Sequence, residues 1–214
     1  MFIGHYAAAL AVRRQTPDLR LGHLFLAVQL VDFAFFLFVL FGVERLRIVP
    51  GFTEVFPFDL HDMPYSHSLV ATAVWGLIAA LAWQRLGRRP GREAAWVGVA
   101  VASHFLLDVP MHTPDLPVLF SDGPKLGLGL WQSWIASTLV ETGLFVAGAA
   151  LYLTRPGRAG PVPRLTWALF GVMLALCVAT PFLPLPTSTE ALALQSLAAY
   201  LFLTVFAYRV EPRR

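Results

Sequence analysis

Cysteine, lysine and charge of either sign are scarce in this chain. Cys177 is the one cysteine and Lys125 the one lysine among 214 residues. A single cysteine excludes an internal disulfide and any thiolate cluster for a metal, and it carries no information on redox compartment. Charged residues make up 14% against 57% hydrophobic, with a mean hydropathy of +0.65. Those proportions exclude an ordinary soluble domain, and they put the sequence in the membrane class. The net charge of +3 comes from arginine. In so apolar a chain, arginine loops set orientation rather than bind nucleic acid. A basic leader is missing too: Met1 to Val12 is apolar and runs straight into Arg13-Arg14, so a cleaved signal peptide is not expected. There is no fixed-period repeat and no long low-complexity tract.

What is present is a series of apolar runs. The spacing predicts an all-α, polytopic membrane bundle of about six transmembrane helices plus a short N-terminal re-entrant or interfacial helix. The short helix is Phe2 to Val12. About 12 residues at a 1.5 Å rise cover about 18 Å, too little for a hydrocarbon core of about 30 Å. The spans are Leu21 to Val43, Ser66 to Trp83 with Ser66 as N-cap, Ala94 to Val109, Trp131 to Leu153, Leu165 to Phe182 and Ala191 to Tyr208. Pro110 is expected to end the third span, leaving His112 just past it near the outer surface.

Loop charge alternates. Residues 13–20, 84–93, 154–164 and the tail after 208 are rich in arginine, whereas 44–65, 113–130 and 186–190 are not. By the positive-inside rule the basic loops and the C-terminus face the cytoplasm.

This topology sends His or carboxylate groups from five segments toward the outer half of the bundle. The segment Ser103 to His112 carries His104, Asp108 and His112 four residues apart, a spacing that stacks them on one helical face. Asp32 and Glu141 fall near the middle of their spans. An Asp at a span centre costs about 2.5–3.5 kcal/mol, so two such acids cost about 5–7 kcal/mol uncompensated. No lysine or arginine lies within an apolar span to neutralise them. A divalent cation meets that need: zinc first, with manganese or iron as alternatives, given histidine and carboxylate donors and no thiolate. His23 alone reads as a hydrogen-bonded helix-end residue, and Trp83, Trp131 and Trp134 as interface residues.

Four stretches resemble the membrane-bound metal-dependent hydrolases of bacteria and archaea. They are Gly4-His5-Tyr6-Ala7, Gln29-Leu30-Val31-Asp32, Tyr65-Ser66-His67-Ser68-Leu69 and Ser103-His104-Phe105-Leu106-Leu107-Asp108, the last followed by Pro114-Asp115-Leu116-Pro117. In spacing logic the pattern is similar to zinc-dependent phospholipase C. The resemblance covers residues 1–155, a metal-site helical core, and leaves 156–214 as two additional transmembrane helices of the same membrane domain. Carried over by motif position, it implies His5, Asp32, His67, His104 and Asp108 as metal ligands. The family form His-Arg-x-x-Thr-His-Ser is altered here, with Asp62 where a His stands and Met63 where an Arg stands.

The expected function is hydrolysis of a lipid-like or amphiphilic ester or phosphoester by metal-activated water. Asp62 or Glu141 would accept the proton and His112 would serve as acid. The expected partners are membrane lipids and a lipid-like or small-molecule substrate, with no nucleic acid. Two other readings use the same residues. One is an ion- or proton-coupled transporter; the other is a structural or partner-binding protein whose metal staples the bundle.

Overall fold

The first expected span, Leu21 to Val43, does not fold as one straight helix. In the computed structural model, which describes residues 1–88, 91–120, 123–157 and 160–211, it forms α2 (Leu21–Val28) and α3 (Leu30–Leu40), bent by 50°. The break is at Gln29, whose φ of −101° and ψ of 3° leave the helical region. Two consequences reach the site. Asp32, expected at mid-span, lies in the first turn of α3, where the helix dipole favours negative charge. The carbonyl of Val28, at the end of α2, is free to accept from outside its own helix.

The remaining elements are helical except at one end of the bundle. The N-terminal helix is α1 (Ile3–Gln15); α4 (Leu69–Leu86) and α5 (Gly91–Asp108) form an antiparallel pair; α6 (Trp134–Leu153), α7 (Arg164–Ala179) and α8 (Thr189–Val210) complete the set. Between α3 and α4 lies an antiparallel hairpin of β1 (Arg45–Ile48) and β2 (Phe58–Asp62), and between α5 and α6 a short pair, β3 (Leu116–Pro117) with β4 (Lys125–Leu126). Arg89, Asp122, Arg158, Arg213 and Arg214 lie outside the described residues.

Among the described residues, four helices are long and apolar enough to cross a membrane: α4, α6, the stretch Arg164–Phe182 that includes α7, and α8. The bent pair α2–α3 makes a fifth. Their outward residues are apolar, among them Leu77, Leu139, Leu194 and Phe202, as a lipid-facing surface requires. The expected third span forms α5, which carries Arg92, Glu93 and Asp108 and is not among the five.

Helix α1 is the centre of the packing. Ile3, Tyr6, Ala9 and Leu10 are fully buried, and the helix touches α2, α5, α6 and α7. Its N-terminus is met by the buried carboxylate of Glu141 from α6, which accepts from the backbone N–H of Gly4 at 3.0 Å and of Phe2 at 3.2 Å. Those are amides that a helix cannot satisfy itself. At its other end Arg13 Nε donates to Glu211 at 2.9 Å, and Leu21 N–H, Tyr152 and Arg155 reach the same carboxylate. One acid thus clasps the ends of α1, α2, α6 and α8. The approach of α1 to α6 needs Gly148, where an added Cβ would lie 2.7 Å from the Ala7 carbonyl oxygen.

Gly148→Ala is therefore expected to cost about 1–3 kcal/mol of stability and to lower the thermal midpoint in detergent. Gly143→Ala, on the same helix with nothing within 4 Å of its added Cβ, is the control and leaves the midpoint unchanged or raised.

Candidate metal centre

Six metal-capable side chains from different parts of the chain meet in the bundle. His5 comes from α1, Asp32 from α3 and His67 from the turn before α4; His104 and Asp108 come from α5, and His112 from the turn after it. All six are buried, none more than 7% exposed. The five predicted ligands are together, and His112 joins them. It is buried beside them, because Met111 N–H and His112 N–H both still bond the Asp108 carbonyl and carry the chain round one further turn. The indole of Trp131 then covers it, with ring centroids 4.1 Å apart.

The donor atoms are spaced for ligation. His67 Nε2 is 3.3 Å from Asp32 Oδ1, and His104 Nε2 is 3.5 Å from the same oxygen. His104 Nε2 is 3.2 Å and His67 Nε2 3.9 Å from Asp108 Oδ2. Zinc bonds of about 2.0–2.1 Å in a tetrahedron put neighbouring donors about 3.3 Å apart. His5 Nε2 is 3.1 Å and His112 Nε2 3.6 Å from the other oxygen, Asp108 Oδ1, which also accepts from the Met1 amino group.

Three of the histidines have fixed tautomers. His104 Nδ1 donates to the Val28 carbonyl at 2.9 Å, the group freed by the break at Gln29. His67 Nδ1 donates to Ser66 Oγ at 2.8 Å, which in turn donates to Glu44 Oε2 at 2.6 Å. His112 Nδ1 donates to Asp115 Oδ1 at 2.8 Å, and Thr113 holds the other oxygen of Asp115. With Nδ1 protonated, each Nε2 carries its lone pair toward the cluster, the arrangement of metal-ligating imidazoles. Burial raises the Glu44 carboxyl above the ordinary carboxylate range, against the hydrogen bonds from Ser66 and Tyr65 that favour its ionised form.

The cluster's own atoms test whether a cation fits. His5 Nδ1 and Nε2, His104 Nε2 and Asp108 Oδ2 are buried without a hydrogen-bond partner. Orphaned polar atoms at such depth cost about 1–3 kcal/mol each, and here they converge on one another. Two overlapping sets, His5–His104–Asp108 and Asp32–His67–His104, have donor atoms within 4.8 Å of each other. These residues can hold a divalent metal.

Two predicted proton-transfer residues are elsewhere. Glu141 spends its oxygens on the N-terminal amides of α1. Asp62 is half-buried at the end of the β1–β2 hairpin, opposite Arg45. Ser66, expected as the N-cap of α4, instead orients His67; the cap is Ser68, which accepts from Ala71 N–H at 3.0 Å. Asp115 stood in the sequence only as part of a motif, although its place three residues after His112 is a usable signal. Glu44 carried none, being 22 residues from Ser66, the group it supports.

A cavity of about 270 Å³ opens onto the cluster, with Asp32, His67 and His112 at its polar end. Phe35 and Phe36 of α3, Phe56 and Phe58 of the hairpin segment, Leu192 and Tyr200 of α8, and the segment Thr180 to Pro186 wall it. The C-terminal region, read from the sequence as two added helices, thus completes the pocket through α8 and the segment before it, and Tyr200 also interacts with Asp32. No lysine or arginine lines it among the described residues. Comparison of the chain with protein-family models, with curated proteins and with solved structures found no match.

Asp32→Ala and His104→Ala are expected to lose bound metal, read by elemental analysis of the purified protein. Glu44→Gln keeps the ligands but loosens His67, so chelator competition should show metal affinity about 10–100-fold weaker.

Proposed function

We propose that the protein is an integral-membrane, metal-dependent hydrolase that cleaves a lipid-like or amphiphilic ester or phosphoester. One observation carries this reading: a buried histidine–carboxylate cluster borders a mostly apolar cavity, whose other polar lining is Thr180, Gln195, Ser196 and Tyr200. A small polar site beside a mostly apolar pocket suits a substrate with one hydrophobic arm and one hydrolysable end. The convergence of four motif stretches on the cluster supports the resemblance to membrane-bound metal-dependent hydrolases.

Asp32, His67, His104 and Asp108 hold the metal in this proposal, with His5 beside them. Zinc fits the nitrogen and oxygen donors, and manganese or iron is compatible. When bound, such an ion polarises a carbonyl or phosphoryl oxygen and lowers the pKa of water. The protein's part is positioning. Val28, Ser66 with Glu44, and Asp115 fix the imidazoles, while the phenylalanines of α3 and the hairpin segment hold the apolar arm and exclude bulk water. Of Asp62, Glu141 and His112, His112 alone lines the cavity. Its Nε2 is open to a proton or to a metal.

The proposed topology counts α5 as a sixth crossing, since 18 residues span about 27 Å. Six crossings put the hairpin, the β3–β4 pair and the Pro181 to Pro186 segment on one side with the cavity mouth. The Arg13–Glu211 clasp and the C-terminus are then cytoplasmic in a prokaryotic inner membrane. The broken helix α2–α3 beside the cluster is the observation that favours a transporter instead, because discontinuous helices line ion sites in transporters.

Metal-loaded protein is expected to release the polar end of an amphiphilic ester or phosphoester in mixed micelles, and chelation or His104→Ala to reduce turnover to background. Metal-dependent flux in proteoliposomes without cleavage would decide for transport. A C-terminal reporter fusion is expected to be active only as a cytoplasmic-type reporter; activity of a periplasmic-type reporter at that end rejects the six-crossing topology.

A further inference from the structure

We infer that the cavity selects an uncharged ester, a single medium-length acyl chain joined to a small hydroxylated head, with the head lying along α8. The inference rests on the hydrolase reading above and deepens it, choosing the carboxylic ester over the phosphoester.

The two long walls of the cavity differ in chemistry. Phe35 and Phe36 of α3, with Val55, Phe56, Phe58 and Leu60 of the hairpin segment, make one wall apolar. On α8 the lining residues are Leu192, Gln195, Ser196, Ala199 and Tyr200. Steps of three and four residues put all five on one helical face. Gln195, Ser196 and Tyr200 are polar, and none is charged. Gln195 is exposed, Ser196 half-buried and Tyr200 buried, so the polar strip descends from open surface toward the cluster. At a rise of 1.5 Å per residue, Gln195 and Tyr200 are about 7.5 Å apart along the axis. Tyr200 is fixed by ring contacts with Phe2 and Phe33, at centroid distances of 5.8 Å and 5.6 Å, and it interacts with Asp32.

Charge points the same way. Among the described residues no lysine or arginine lines the cavity, whereas the carboxylate of Asp32 does. The Met1 amino group stands at the border and meets Asp108. Two cations of the neighbouring strands are engaged outside: Arg47 faces Asp59 at 3.8 Å, and Lys125 Nζ donates to the His61 carbonyl at 3.2 Å. An anionic head along α8 would have no guanidinium or ammonium side chain to pair with, and burying it unpaired is expensive. A carboxylic ester is neutral until it is attacked. Hydroxyls on its head are matched by the Gln195 amide and the Ser196 hydroxyl, each able to donate and to accept. Thr180 adds an acceptor, because its own proton goes to the Leu176 carbonyl at 2.7 Å.

Size limits the rest of the molecule. The cavity volume of about 270 Å³ equals about nine waters at about 30 Å³ each. That is room for one chain and a small head, and too little for a two-chain lipid. The chain lies against the phenylalanines, the head against α8, and the ester between them against the cluster. Water adds its oxygen to the acyl carbon, the bond from that carbon to the head oxygen breaks, and the head oxygen takes a proton from the water. The products are a carboxylic acid and a free hydroxylated head.

The test uses full-length, metal-loaded protein in mixed micelles and three amphiphiles with the same single chain: a monoacylglycerol, a fatty-acid methyl ester and an alkyl phosphate. The monoacylglycerol is expected to be cleaved with a kcat/KM about 10-fold above the methyl ester, the worth of one or two neutral hydrogen bonds, and the alkyl phosphate to be slowest. Binding of the matching monoalkylglycerol ether, which cannot be cleaved, is measured on the same protein. Gln195→Leu combined with Ser196→Ala is expected to raise KM for the monoacylglycerol and Kd for the ether about 10-fold, with a much smaller effect on the methyl ester; retained metal shows that the variant is folded. Faster release of phosphate than of fatty acid overturns the inference and leaves the hydrolase reading standing. Equal kcat/KM for the two esters, or an equal loss on both in a variant that retains metal, overturns α8 as the site of the head. Binding of the ether with no cleavage of any of the three overturns the hydrolase reading and keeps α8 as the site of a hydroxylated head. Neither binding nor cleavage overturns both. The comparison on the unaltered protein decides whether or not the variant folds.

Discussion

Two carboxylates, Asp32 and Asp108, are buried side by side in a bundle whose apolar segments contain no lysine or arginine. Taking either from water costs several kcal/mol, and each worsens the position of the other. Asp108 is also the last residue of α5, at the negative end of a helix dipole that opposes its charge. The surroundings answer that cost. Four histidines face the two acids. Three of them are oriented by partners that leave a lone pair, rather than a proton, pointing inward. Such imidazoles carry no charge of their own, and beside the Met1 amino group that meets Asp108 they can hold a cation.

The helix breaks follow from the same need. A continuous helix through residues 21–40 would leave the Val28 carbonyl engaged within its own helix and place Asp32 away from any helix end. The bend at Gln29 releases the carbonyl to orient His104, and it sets Asp32 in a first turn. α1 is the counterpart. It is too short to cross a bilayer, yet it is buried on nearly all faces, with its N-terminal amides held by Glu141 and its other end clasped to Glu211. An acid at a helix N-terminus is a stable use of buried negative charge, so Glu141 serves the fold that carries His5 into the cluster. Strength of packing and precision of the site are linked at this helix.

The pocket is assembled from parts distant in sequence. The hairpin after α3, the turn after α5, the segment between α7 and α8, and Tyr200 of α8 come together at one end of the bundle. Hydropathy marked α7 and α8 only as apolar and apart from the motif-bearing core. α8 and the segment that joins it to α7 supply a wall of the cavity, which follows from how α8 lies against α2 and α3.

By itself the sequence determined the apolar, membrane-compatible character, the helical class and the ends of most long helices, which follow from local quantities: apolar run length and the Pro110 stop. The five residues that converge were marked by the motif resemblance, and only the four-residue spacing of His104 and Asp108 is a local signal among them. Where the determinant was a contact between segments, the sequence was mute or misleading. Glu141 read as a mid-span proton acceptor because its backbone partners belong to another helix. Ser66 read as a cap because its true partner, Glu44, is reached only when the hairpin folds. His112 read as peripheral because proline ends a helix but does not say which way the chain turns next. The tertiary structure alone decided which nitrogen of each histidine faces inward and that Asp108 divides its oxygens between two histidine pairs. Directions of lone pairs depend on packing across the bundle, and no spacing along the chain encodes them.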